Sequence, residues 1–277
     1  MSQSAFELVL LAAALHASWN AIVKAGQDKS LTTVLVTGSA ALWSALLLPF
    51  FSAPAAPSWP SIVVSAALQV IYYMLVARIY RVADMSQTYP LMRGVAPLLV
   101  ALAGAVLLGE VPSPGAWLGI AVICLGILAM LAGARRQSRA GLRLALLNAM
   151  LIGTYTLVDG VGVRLSAAPV AYTLWIFLLS GAAIALWAGS SRWQQTRGYL
   201  RDNWHLGMVG GFGTLASYGL ALYAMTLAPV AVVAALRESS ILFATGIAWL
   251  VLKEPVGRLR ALSVGVIVAG VVILRLA

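Results

Sequence analysis

Two arginines stand where the surrounding chain is almost wholly apolar. Arg93 lies within Thr-Tyr-Pro-Leu-Met-Arg-Gly-Val-Ala-Pro-Leu-Leu-Val, and Arg237 within Val-Ala-Ala-Leu-Arg-Glu-Ser-Ser-Ile-Leu-Phe. A guanidinium keeps its charge at every physiological pH, and its planar fork matches the oxygens of a carboxylate or phosphonate. Two of them in apolar surroundings therefore suggest recognition of a small organic acid. The alternative is structural: Arg93 could pair with Asp159 or Glu238, or donate to carbonyls freed by Pro90 and Pro97. Glu238 follows Arg237 directly but points about 100° round a helix. It suits a neutralising, proton-carrying or ammonium-binding role equally.

Other polar and aromatic side chains recur at helical spacing. His16, Asn20 and Lys24 fall at i, i+4 and i+8, with Trp19 beside them; Asn148, Tyr155 and Asp159 fall at i, i+7 and i+11. Such stripes on a membrane helix must face protein or water, because lipid exposure is costly. Gln69, Tyr72, Tyr73, Tyr89, Trp175, Ser217, Tyr218 and Ser240 complete the set. Together they describe an aromatic-walled, partly charged pocket, in which His16, Asp159 and Glu238 could carry a proton or bind an amine. Trp43, Trp59, Trp187, Trp193 and Trp204 read instead as interfacial anchors. Cys124 reads as a small core residue, and no disulfide within the chain is possible with a single cysteine.

The elements that must position these groups follow from composition. Of 277 residues 62% are hydrophobic and 9% charged, with a mean hydropathy of +0.95. A soluble domain carries about a quarter charged residues, so a cytosolic enzyme, a secreted domain and a disordered chain are excluded. Apolar segments fall at 6–25, 31–51, 61–82, 85–108, 114–133, 141–163, 169–189, 205–227, 229–252 and 259–275. Ten spans of roughly 21 residues leave no room for an extramembrane domain. The first is a permanent span rather than a signal peptide, since it lacks a basic leader and contains His16, Asn20 and Lys24.

The net charge of +10 is a topology signal rather than a nucleic-acid footprint. Fourteen Lys and Arg, including Arg135, Arg136, Arg192 and Lys253, fall in connections on one side, and only Arg164 and Arg275 on the other. By the positive-inside rule the rich side is cytoplasmic and both termini are outside.

Arg93 and Arg237 are each followed seventeen residues later by a glutamate, Glu110 and Glu254, which defines an offset of 144. The same offset pairs Gly126 with Gly270 and Ile123 with Ile267. The chain thus reads as a duplicated five-span unit, 1–135 and 136–277. An odd number of spans makes the second copy enter from the opposite face, so the repeats are inverted. Inverted repeats with a midplane site are a device of secondary transporters. Arg93 and Arg237 then lie at similar depth, about 13 Å in, from opposite faces.

Ten spans in two halves, with Leu-Gly-Glu-Val-Pro at 108–112 closing the fourth and Leu-Lys-Glu-Pro at 252–255 closing the ninth, resemble the EamA-type members of the drug/metabolite transporter superfamily. The resemblance covers essentially the whole chain. It implies a carrier of small organic solutes that works without ATP or a cofactor. The family usually has apolar or small residues where Arg93, Arg237 and Glu238 stand; in this respect the chain looks more like the sugar-phosphate and related anion exchangers of the same superfamily.

The expected protein is an all-α integral membrane carrier of the cytoplasmic membrane. Its partners would be a small organic anion or zwitterion, the lipid bilayer and a proton or counter-substrate, with no nucleic acid. Arg93 and Arg237 would hold the acidic group, with Trp19, Asn20, Tyr72, Tyr73, Tyr89, Tyr155, Trp175 and Tyr218 shaping the walls. The second reading is an exporter of cationic or lipophilic compounds using Glu238 and Asp159. No His-Glu-x-x-His or Gly-x-Ser-x-Gly motif supports an enzyme, and two histidines cannot build a His-rich metal site. Glu110 and Glu254 are expected to accept hydrogen bonds at the start of the span that follows each. An alkaline phosphatase fused at the C-terminus should be active and a fluorescent protein there dark; the reverse pattern would contradict the charge reading.

Overall fold

The computed structural model describes residues 1–83, 85–133, 139–251, 253 and 256–277. Arg135, Arg136, Leu252 and Glu254 lie outside the described residues, as does the side chain of Arg192. The helices are α1 (Gln3–Ala25), α2 (Lys29–Leu47), α3 (Trp59–Val82), α4 (Met85–Leu107), α5 (Pro114–Ala129), α6 (Arg139–Leu165), α7 (Pro169–Met225), α8 (Val230–Arg237), α9 (Ser240–Leu250) and α10 (Arg258–Leu276). No strand occurs among the described residues. Among the described residues, ten helical stretches are long and apolar enough to cross a bilayer. Large side chains such as Val106, Leu186 and Leu276, 82%, 75% and 83% exposed, face outward as a lipid-contacting surface requires.

Helix starts are capped from the sequence. Ser2, Asp28 and Ser113 accept backbone N–H bonds at the starts of α1, α2 and α5. Ser113 therefore does what was expected of Glu110. The carboxylate of Glu110 instead accepts from the N–H of Val230, 2.9 Å away, at the start of α8.

The ten spans do not coincide with ten helices. α7 keeps helical hydrogen bonding through 57 residues and contains two spans, Pro169–Ser190 and Trp193–Met225. On a straight helix Phe177 and Tyr218 would lie about 60 Å apart, yet their rings stack at 5.9 Å. The helix therefore doubles back. Gly181 and Gly207 on its two limbs both pack against α2, near Thr37 and Leu35. The eighth span begins before the expected 205 because helical structure continues through the polar reversal. The ninth span is divided into α8 and α9 by a tight turn, with the N–H of Glu238 and Ser239 bonding three residues back at 3.1 and 3.0 Å.

Small residues set the closest approaches. A Cβ on Gly211 would stand 2.7 Å from the backbone nitrogen of Ala40, and one on Gly270 would stand 2.8 Å from that of Ile123. Gly207, Gly210 and Gly211 of the eighth span are thus packing residues against α2, while Gly213 faces Trp19 of α1 and Gly219 faces Thr173 of the first limb of α7. Two tryptophans expected at the interface are packed against other helices. Trp43 donates to the Met208 carbonyl at 3.1 Å, and Trp59 stacks on Trp175 with centroids 5.0 Å apart. Trp187, Trp193 and Trp204 are exposed, as anchors should be.

Gly211→Ala should lower the melting temperature of purified protein, by an overpacking cost of about 1–3 kcal/mol. Gly189→Ala, where nothing lies within 4 Å of the added carbon, should leave it equal or higher.

Candidate functional site

The centre of the bundle is built where α4 meets the turn between α8 and α9. Arg93 projects from the first half of α4, between Pro90 and Pro97. Its Nε lies 2.8 Å from a Glu238 carboxylate oxygen, and its Nη2 donates to Ser240 at 3.4 Å. Arg93 and Glu238 are 8% and 4% exposed. The run Arg-Glu-Ser-Ser explains the local geometry: serine competes with helical hydrogen bonding, so the helix tightens here and presents both Glu238 and Ser240 to α4. An arginine from the first repeat is thereby neutralised by a glutamate from the second.

Arg237 is arranged differently. Its guanidinium carbon sits 5.0 Å from the ring centroid of Tyr218, a cation–π contact. Among the described residues no carboxylate lies within ion-pair distance of it. Arg237 is half-buried, more open than Arg93. The hydroxyl of the same Tyr218 donates to Asp159 at 2.5 Å, and Tyr172 donates to the other oxygen of that carboxylate at 3.0 Å. Asp159 is fully buried. It anchors the tyrosine on which Arg237 rests.

Between the two arginines lies a cavity of about 50 Å³. His16 and Trp19 close one side, their rings edge to face at 5.2 Å. Gln69, Tyr72 and Tyr73 of α3 face Tyr155 of α6, and Phe177, Thr214, Ser217 and Tyr218 come from the two limbs of α7. Tyr72, Tyr155 and Tyr218 form a continuous edge-to-face wall at 5.9 and 6.4 Å. Nε1 of Trp19 is buried and finds no hydrogen-bond partner among the described residues. A cavity of this size holds only a few waters, since each needs roughly 10–15 Å³. A metabolite therefore requires the walls to part.

The structure brings His16, Trp19, Tyr72, Tyr73, Arg93, Tyr155, Tyr218 and Arg237 onto one cavity. It does not bring Asn20, Tyr89 or Trp175 there. The amide of Asn20 donates to the carbonyl of His16, 2.8 Å away, a bond within its own helix. Tyr89 is half-buried one turn before Arg93, and Trp175 packs on Trp59. Asp159 and Glu238 stand behind the lining, each held by its own donors. Asn148 is buried between α6 and α4 with its amide on the Met92 sulfur at 2.9 Å. Phe177 and Thr214 were not expected; an isolated Phe or Thr in an apolar helix carries no sequence signal.

The sequence matches the model of the EamA-like transporter family twice, over residues 4–132 and 139–276. The chain belongs to the EamA-like transporter family. Two family repeats fit the inverted five-helix layout, and members of the family are transporters rather than enzymes. A crystal structure superposes with a TM-score of 0.78 over 100% of this chain and 98% of its own, at 20% identity, which shows a shared fold. No curated protein matches the sequence. This EamA-family protein is therefore a multi-pass membrane transporter.

Removing one member of a buried ion pair strands the other, at a cost of about 3–5 kcal/mol. Glu238→Gln should therefore lower the melting temperature markedly, and Arg93→Gln/Glu238→Gln should recover part of the loss. Additive losses in the double variant would show that the two side chains are not energetically coupled.

Proposed function

We propose that this protein is a secondary carrier of a small organic anion or zwitterion, such as an amino acid, an aminophosphonate or a carboxylate metabolite. It works by alternating access in the cytoplasmic membrane, with both termini outside. One observation carries the reading: Arg237 reaches the cavity with an aromatic ring beneath it and, among the described residues, no carboxylate in ion-pair contact. Even a half-buried guanidinium without an ionic partner is costly within a membrane bundle. A site that keeps one gains when an acid enters, because the substrate supplies the missing charge in a low-dielectric setting.

Arg93 takes a second role in this reading. Glu238 already neutralises it, so it orients the turn between α8 and α9 and adds positive potential on the far side of the cavity. The indole N–H of Trp19 and the phenols of Tyr72, Tyr73 and Tyr155 supply donors and an aromatic wall of rings packed edge to face. Phenol oxygens can accept from a substrate amine. His16, Asp159 and Glu238 are the groups available for proton coupling. The cation-exporter reading draws less support, because the carboxylates it needs are engaged by Arg93 and by two tyrosines.

The test is transport by protein reconstituted in vesicles, with amino acids, aminophosphonates and carboxylates offered in turn. Arg237→Gln should abolish saturable, trans-stimulated uptake of the accepted acid while leaving the melting temperature within a few degrees. Arg93→Gln should act mainly on stability. Undiminished acid transport by Arg237→Gln, or transport of organic cations alone, would sink the reading.

A further inference from the structure

A second charged cluster lies at the end of the bundle where α4 and α6 finish, away from the cavity. Arg164, one residue before the end of α6, donates from Nε to the Met225 carbonyl at 2.7 Å and from Nη2 to the Ala228 carbonyl at 3.0 Å. Its Nη1 forms an ion pair with Glu110, whose other oxygen takes the N–H of Val230 at 2.9 Å. One guanidinium and one carboxylate thus tie together the exit of α4, the end of α6, the turn leaving α7 and the start of α8. These four helices supply Arg93, Tyr155, Tyr218 and Arg237 to the cavity.

Between this cluster and the cavity lies a layer of buried apolar side chains. Leu222, Met225, Val230, Val233 and Leu236 are all 0% exposed, filling the roughly 10 Å that separates Val230 from Arg237 along α8. The opposite end is packed otherwise. Residues 19–23 near the end of α1 are each partly exposed, whereas residues 159–163, at the same distance from the end of α6, are buried except Val161. In α9 nothing lies within 4 Å of the place a Cβ on Gly246 would occupy. The halves repeat in sequence but differ in packing at these helix ends.

We propose that the Glu110–Arg164 pair is a latch that closes this end of the transport path, and that its release opens the cavity to the side of the membrane on which α4 and α6 end. The chemistry suits a reversible fastening. The two side chains are 19% and 34% exposed, so water can take over their hydrogen bonds when they part. The side chains of the central Arg93–Glu238 pair, themselves only 10% and 5% exposed, have no such substitute. Freeing Val230 uncouples α8 from α4 and α6, and α8 carries much of the apolar seal.

The experiment needs no substrate. In a Cys124→Ser background, Thr214→Cys places a single thiol on the cavity wall. In a parallel protein Leu227→Cys, at an exposed position in the latch-end turn, reports which membrane face the reagent reaches. Vesicles of known orientation are treated with a membrane-impermeant methanethiosulfonate. Glu110→Gln should raise the labelling rate of the cavity thiol from the latch side about tenfold, the size expected for losing one charge-assisted hydrogen bond. Labelling from the opposite side should stay level or fall. Glutamine retains an acceptor for the Val230 N–H, so this variant decides the matter even if Arg164→Gln does not fold. Unchanged latch-side labelling in folded Glu110→Gln and Glu110→Ala would overturn the proposal. So would an equal rise from both sides, which marks general loosening.

Discussion

A charge in the middle of a bilayer survives only when another group answers for it, and the centre of this transporter is arranged around that constraint. Translocation scales put an unassisted arginine at the helix centre at about 2.5–3.5 kcal/mol. Four charged side chains gather around the centre, and they are answered in three different ways. Arg93 has the carboxylate of Glu238, Asp159 has two tyrosine hydroxyls, and Arg237 has the face of Tyr218. The last of these is the weakest compensation, and it belongs to the one cation turned toward the cavity without an ionic partner among the described residues. The tyrosine serves two masters: its ring supports Arg237 and its hydroxyl is pinned by Asp159. Charge, aromatic wall and anchoring carboxylate therefore form one chain running from α6 through α7 to α8.

The same constraint explains where the two repeats meet. The first half does not neutralise its own arginine, so its α4 reaches the helix break of the second, whereas Arg237 rests on a tyrosine of its own half. The break itself arises from a short polar run that helices hold poorly. Away from the midplane the requirement relaxes, since water is near enough to share the load. There, Arg164 and Glu110 fasten helix ends rather than supporting a buried charge.

Much of this arrangement was legible from residue types. Long apolar runs are what lipid demands of any spanning segment, so the spans other than the eighth emerge within a few residues, and the rarity of arginine in such runs singles out Arg93 and Arg237. Less local features were hidden. The start of the eighth span was misjudged because α7 stays helical through its polar reversal. Glu110 was assigned to the helix nearest in sequence, but the helix start nearest in space belongs to α8, 120 residues further on. Arg164 read only as a topology charge, since two of its partners are backbone carbonyls of a distant turn. Asn20 satisfied the spacing rule yet spent its amide within its own helix. Periodicity finds a polar face but not which of its members reach the cavity. Pairing was equally open: the sequence offered Arg93 both Asp159 and Glu238, and only the packing of α8 against α4 selects the second.

The central claim is that Arg237 is held in reserve for an acidic ligand, and ligand-induced stabilisation of the purified wild-type protein tests it most directly. A compound that prefers the folded state raises its melting temperature in proportion to occupancy. Screened against small carboxylates, amino acids, aminophosphonates and quaternary ammonium compounds, the protein should be stabilised by one or more members of the acidic and zwitterionic groups. Stabilisation by a quaternary ammonium compound alone would contradict the account.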